Sequence, residues 1–442
     1  MSPREAATLV RDAMPADGLF AGQRWRISPA PFRMERSLAE ELERLGRMLL
    51  QFYRAGNLLY RQSIAGRRPE WVARWLDLGK PRELIELQRS AVFKNDTPRV
   101  IRPDILLTEE GLKITELDSV PGGIGLTAWL NEVYTAPGLN AGEIIGGAEG
   151  MLRGFASLFG TARNIHIIVS DEAATYRPEM AWLSERLNGT GKPIFKVQPP
   201  GFDAFSGGDA VFRFFELFDL ANVPCAKKLF DAALERTVAV TPPPKPALEE
   251  KMLLALLWNG NLRDFWRQEL GESFFERLKR IVPYTWLLDP APLPPHGAIP
   301  ELNLTDWRQL KALSQRDRNV ILKISGFSEK AWGARGVFPG SDLPAEEWAA
   351  AVDQAIAGFS ESPFILQRFE KPKIVEGQQW FDFQQGAAVA MSGRVRLCPY
   401  YFVAGPWDRA RPQLGGVLAT IVPADKKIVH GMQDAILAPC AV

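Results

Sequence analysis

The sequence predicts an α+β protein made of more than one packed unit. Three observations carry this. The chain of 442 residues is too long for one ordinary core. Residues 37–60 show helical apolar periodicity. Beyond them, short apolar strands mix with helices, and no single long strand–helix alternation runs through the chain.

Composition narrows the class. Hydrophobic content of 46% and charged content of 24% are those of a soluble globular protein. A net charge of +1 gives no general attraction to nucleic acid or to acidic membranes. No uncharged run approaches the ~20 residues needed to span a bilayer. The N-terminal MSPREAATLVRDAMP has charges on both sides of a short apolar stretch, unlike a secretory leader. Cys225, Cys398 and Cys440 are widely spaced and odd in number, which argues against a disulfide framework or a cysteine zinc site. The expected location is cytoplasmic.

Residues 1–98 read as a largely helical segment. Within it, Leu38, Leu42, Leu45, Met48, Leu49 and Phe52 recur at helical spacing after a candidate Ser37 cap. Segment 99–119 reads as a β-hairpin, the core of a part spanning 99–160. A strand at 165–170 and a helix at 178–188, with Pro178 near its start, predict a small α/β layer over 161–240. The aromatic run 211–220 reads as packing. The Pro-rich 242–246 reads as a stiff connector. The part 241–442 then opens with helical residues 248–280, broken around Asn259–Asn261. After the Pro-rich loop 290–300 come a strand at 319–324 and a helix at 345–359, with Trp348, Val352, Ile356 and Phe359 on one face. Strands are expected at 363–369, 385–391, 394–403 and 417–422.

The hairpin carries the first chemistry. In VIRPDILLTEEGLKITELDS, Gly111 suits the left-handed position of a three-residue turn. Thr108 then faces Leu112, and counting puts Asp104 opposite Glu116 and Arg102 opposite Asp118. Alternation places Glu116 and Asp118 on one face, ~7 Å apart. Facing carboxylates need positive charge between them. Arg102 can neutralise one, and a divalent cation can neutralise all three, since Mg²⁺ favours a few carboxylates with substrate phosphates. The same residues also fit a solvent-exposed charged hairpin.

A second group lies in NVILKISGFSEKAWGARGVFPG. Lys323 nears the end of a β-branched strand and precedes a small, polar, glycine-containing loop. Such a loop can lie over phosphates, with the lysine as a point charge. Gly326, Gly333 and Gly336 give backbone freedom, Ser325 and Ser328 add donors, and Arg335 can reach a phosphate bidentately. The spacing matches neither a Walker loop nor a dinucleotide fingerprint. A strand followed by a mobile surface loop also fits. Lys251 opens the helix KMLLALLW, where its charge opposes the dipole. The strand PFILQRF contains Gln367, whose amide can meet an adenine ring. His166, His296 and His430 are dispersed, with no triad or zinc spacing, and a structural or surface role is the plainer reading of His430. Arg394 and Arg396 share a strand face and are candidate phosphate or carboxylate contacts. Gly415-Gly416 reads as a close backbone approach or a tight turn.

Taken together, these elements resemble the circularly permuted ATP-grasp ligases, in particular the synthetase domain of glutathionylspermidine synthase. There, an R-x-D strand, a turn and an E-x-N strand carry the magnesium ligands early in the chain, and two nucleotide-binding lysines follow much later. Arg102-Pro103-Asp104 and Glu116-Leu117-Asp118 resemble the first part, and Lys251 and Lys323 resemble the lysines. Gln367 falls near the interlobe hinge. Acidic strands before lysines is the permuted order. The likeness covers about 100–125 and 250–370. It departs at Asp118, which stands where the family has asparagine, and in a longer loop at 325–340. No cysteine amidase domain is present.

The resemblance implies a circularly permuted ATP-grasp fold whose α/β layer is pre-ATP-grasp-like. It implies ATP and Mg²⁺ as cofactors, with Asp104, Glu116 and Asp118 as metal ligands. Lys251, Lys323, Ser325, Gly326, Gly333, Arg335, Gly336 and Gln367 would meet the nucleotide. Arg102 would be catalytic, stabilising charge on the transferring phosphoryl group. The implied reaction joins a small-molecule carboxylate to an amine or similar nucleophile through an acyl phosphate. A small-molecule kinase on the same ATP site, or a non-catalytic scaffold, are the alternatives. The sequence leaves the substrates and the oligomeric state open.

Overall fold

The computed structural model describes all residues except 17, 20–23, 140–141, 190–193, 332–334, 428 and 430–433. Gly333 and His430 therefore lie outside the described residues. The chain divides into two compact units. The first takes residues 1–50, 95–244 and 372–442, and the second takes 51–94 and 245–371. Residues 372–442, expected from the sequence to belong to the part 241–442, fall in the first unit. Among the described residues, no helix is long and apolar enough to cross a membrane.

The architecture is mixed α+β, as expected. In the first unit a seven-stranded sheet is formed among the described residues. Its order runs Phe32–Arg33, Ile436–Ala441, Arg411–Pro423, Ala387–Ala404, Val100–Thr108, Gly111–Asp118, with Ile374–Asp382 also paired to Ala387–Ala404. The strands expected at 385–391 and 394–403 are one continuous strand. Gly393 does not interrupt it, because it lets Ile421 and Val422 of the neighbouring strand approach closely. Gly415 is an extra residue between Gly416, opposite Tyr400, and Leu414, opposite Tyr401. Its carbonyl lies against Gly146 and Gly150, so the close-approach reading is the right one there.

The α/β layer is a second sheet in this unit, with parallel order Phe195–Gln198, Ile165–Val169, Asp209–Phe214, Val238–Thr241. Parallel strands need both faces covered, which explains why every residue of Ile165–Val169, His166 included, is buried. The helix Arg177–Asn188 follows as expected, with Pro178 in its first turn. A second helix, Ile124–Thr135, is apolar on nearly every side and buried accordingly. Its residues share one core with Phe155 of the helix Gly150–Ala156 and with Ile167, Phe212, Tyr400 and Phe402, drawn from both sheets.

The second unit holds an antiparallel sheet of four strands among the described residues, ordered Val337–Pro339, Val320–Ile324, Phe364–Arg368, Thr285–Leu287. Helix Ala345–Ala357 covers it with Trp348 and Val352, as its periodicity predicts. The break near Asn259 separates Met252–Trp258 from Arg263–Leu270. The long helix Arg36–Ile64 begins one residue before Ser37, so Ser37 sits in its first turn and is not its cap.

Candidate functional site

The hairpin has the expected pairing at its functional end but a different turn. Thr108 faces Gly111, not Leu112, across the two residues Glu109 and Glu110. The three-residue turn is thereby corrected, although Gly111 does adopt positive φ, at 103°. A bulge at Thr115 adds one residue to the second strand, and the register beyond it becomes Asp104 opposite Glu116 and Arg102 opposite Asp118. Thr115 donates its hydroxyl to the Asp104 carbonyl at 3.3 Å.

Arg102 lies 3.2 Å from an Asp104 oxygen and 3.0 Å from one of Asp118. Arg396, on the adjacent strand, reaches the other Asp104 oxygen at 3.0 Å. The Cys398 thiol lies 3.5 Å from Asp104. Burial, helped by the neighbouring Asp104 charge, pushes that thiol up to about 12 and keeps it neutral at pH 7. Burial opposes the charge of Arg102, but Asp104 and Asp118 outweigh it and hold the guanidinium protonated. Burial raises the Asp118 carboxyl; Arg102 opposes this, and Glu116 adds to it. The Nε atoms of Arg102 and Arg396 are buried without a hydrogen-bond partner among the described residues. Such donors suit an incoming anion.

The fit to magnesium is partial. Among the described residues, no three His, Cys, Asp or Glu side chains are grouped to hold a metal ion. Both oxygens of Asp104 are engaged by arginines, so its role in this structure is charge compensation. Glu116 and Asp118 lie together on the outer strand and are part-exposed. One or two carboxylates suffice where phosphates complete the magnesium shell.

In the second unit the structure gathers Lys251, Lys323, Ser325, Gly326 and Gln367. Lys323 is buried, and its ammonium donates to the Gln367 side-chain oxygen at 2.9 Å. Gln367 donates in turn to the Thr285 hydroxyl at 3.1 Å. Its amide is thus used inside the sheet, because Gln367 and Lys323 stand diagonally on one face of adjacent strands. Lys251 caps the helix Met252–Trp258. Its backbone N–H donates to the Ser325 carbonyl at 2.8 Å, and its ammonium to the Ala331 carbonyl at 2.9 Å. Ser325 is fully buried. Its hydroxyl donates to Glu250 and accepts from the Met252 N–H, so it organises the loop from within. Gly336 is buried beside the Lys330 carbonyl, and Arg335 is exposed.

Sequence reasoning missed Glu250, Lys80 and Glu179. The Glu249-Glu250 pair before a helix start was a usable signal, since acidic residues favour that position. Lys80 had no local signal. Glu179, from helix Arg177–Asn188, is fully buried and accepts from the backbone N–H groups of Gly123 at 2.7 Å and Leu126 at 2.8 Å. It thereby holds the turn whose Gly122 carbonyl accepts from Arg102 at 3.4 Å and from the Tyr400 hydroxyl at 2.8 Å.

Burial raises the Glu179 carboxyl to about 7 against the backbone donors that favour its charge. Between pH ~4.5 and ~7 the folded protein keeps a proton that the unfolded chain has lost, so stability falls as pH rises through this window. The expected loss is about 3 kcal/mol. Urea denaturation at pH 5 and pH 7.5 measures it, and Glu179→Gln should flatten the difference. An equal pH slope in both proteins would contradict this.

Comparison with known proteins defines a class by fold. The chain shares its fold with a glutathione synthetase-like protein. That protein is an effector from Globodera pallida, solved in its apo form. It is 12% identical, with 100% of this chain and 98% of that chain aligned at a TM-score of 0.59. At such identity the likeness is one of fold. A second structure, provisionally assigned as a gamma-glutamylcysteine synthetase from Methylobacillus flagellatus, aligns over 87% of each chain at 11% identity and a TM-score of 0.42. No protein-family model and no curated protein matches the chain.

Proposed function

We propose that the protein is an ATP- and magnesium-dependent ligase of the permuted ATP-grasp type, joining a carboxylate to an amine. The observation that carries this reading is the pairing of two lysines through one loop. Lys323 and Lys251 are both buried; Lys323 lies two residues before Ser325, and the Lys251 N–H donates to the Ser325 carbonyl. Ammonium groups beside a glycine-containing loop are point charges that suit nucleotide phosphates.

In this reading the terminal phosphate of ATP passes to a substrate carboxylate, giving an acyl phosphate and ADP. The amine then attacks the acyl carbon and inorganic phosphate leaves. Lys251 and Lys323 neutralise the nucleotide phosphates, and backbone N–H groups of the loop after Ser325 lie over them, with Arg335 as a further contact. Gln367 orients Lys323. Arg102 and Arg396, with their unpartnered Nε donors, meet anionic oxygens. Glu116 and Asp118 would hold magnesium, which would supply charge neutralisation, and Asp104 keeps the two arginines in place. Catalysis of this kind rests on positioning and charge, with no covalent protein intermediate.

The test is an ADP-release screen of amino acids, peptides and polyamines in acid–amine pairs, with Mg-ATP. A ligase releases ADP and phosphate in equal amounts only when both partners are present. A stable phosphorylated product from one substrate would make it a kinase. An unchanged melting temperature at saturating Mg-ATP would reject the nucleotide reading altogether.

A further inference from the structure

Lys80 and Glu250 form an ion pair 2.5 Å long whose side chains are 0% and 1% exposed. Burying both charges is costly, and an apolar pair of similar volume usually stabilises a fold equally well. The placement of this pair is informative. One Glu250 oxygen accepts from Lys80, and the other accepts from the Ser325 hydroxyl. That hydroxyl accepts from the Met252 N–H at 2.9 Å, and the Ser325 carbonyl accepts from the Lys251 N–H at 2.8 Å. The carboxylate thus joins the turn bearing Lys251 to the residue that follows the Lys323 strand.

The next two residues rest on the same pair. A Cβ on Gly326 would lie 2.9 Å from the Glu250 carboxylate and 3.1 Å from the Glu249 carbonyl, so only glycine brings the loop this close. Phe327 has φ of 31°, in the left-handed region that bulky residues avoid. Its ring lies over the Lys80 ammonium, 5.6 Å from the centroid. Strain of this kind is costly and persists only where the surroundings impose the conformation. Lys80 is itself fixed from behind. Gly79, at φ 70°, is pressed so closely against the Glu361 carbonyl that a Cβ would stand 1.8 Å from it.

We propose that Lys80 and Glu250 are positioning residues that set the conformation of the loop 325–331, and with it the placing of Lys251 and Lys323 for phosphate. The phosphate part rests on the nucleotide reading above; the loop part does not. The experiment uses the full chain with Glu250→Gln, Lys80→Met, the double variant, and Phe327→Gly, which leaves the ion pair intact. Hydrogen exchange of residues 325–331 is followed without nucleotide, and Mg-ATP affinity by calorimetry.

Each variant is expected to speed exchange in 325–331 by about tenfold and to weaken Mg-ATP by a similar factor, the worth of one charge-assisted hydrogen bond. The double variant should recover melting temperature but not loop protection, which a merely structural pair would recover as well. Loop exchange unchanged in Phe327→Gly and in whichever pair variants fold overturns the proposal. Faster exchange in a protein whose wild type binds no Mg-ATP would reject the nucleotide reading and leave the loop assignment standing.

Discussion

Replacing Asp104 by alanine is expected to lower the free energy of unfolding by about 3–5 kcal/mol. The side chains of Asp104, Arg102 and Arg396 are 11%, 16% and 17% exposed, so solvent does little to screen their charges. Without Asp104, Arg102 keeps Asp118, whereas Arg396 loses the carboxylate that meets its charge. A buried charge left alone is far costlier than a pair removed together. The double variant Asp104→Ala with Arg396→Met should therefore recover much of the loss, and the two single effects should fail to add. Urea denaturation of the three variants measures this. Additive losses would mean that the two groups do not compensate each other.

The second large effect concerns ligand and not stability. Lys323→Met is expected to leave the melting temperature of the free protein close to wild type. The change removes a buried charge while keeping its shape, and costs Gln367 one hydrogen bond. With Mg-ATP at about a hundred times its dissociation constant, the wild type should gain about 2.7 kcal/mol, and the variant should gain none. Lys323→Arg should not restore the gain, because a planar guanidinium does not fit the single acceptor offered by Gln367. A full nucleotide shift in Lys323→Met would remove this lysine from the site.

Much of the fold was legible because the signals were local. The period of residues 37–60, the apolar run at 165–169 and the helix facing with Trp348 each report burial along one element. The charged hairpin was legible in its residues and its final pairing, but the reasoning behind that pairing was incomplete. A longer turn was inferred where the chain uses a shorter turn and a bulge, and both routes give the same offset at Asp104. Partners distant in sequence were not legible. Lys80 meets Glu250 across 170 residues, and Arg396 meets Asp104 across 292. Gln367 was singled out for its amide, as a group to meet an adenine ring. Its use inside the sheet follows from strand pairing, which the segment alone does not reveal.

The bulge at Thr115 has a consequence for how this protein tolerates insertions and deletions. Because register is reset between the tip and the charged end, residues 109–111 form a module whose length is independent of the arginine–carboxylate cluster. Loops of varied size, an affinity tag or a fluorophore site can be grafted at Glu109–Glu110, both exposed, without rewiring the charges below. Removing Thr115 takes away the extra residue and its hydroxyl on the Asp104 carbonyl, and leaves Asp104 opposite Glu116 in an unbroken ladder. For a lineage acquiring such mutations, the hairpin tip is free to drift in length without disturbing the charged pairs.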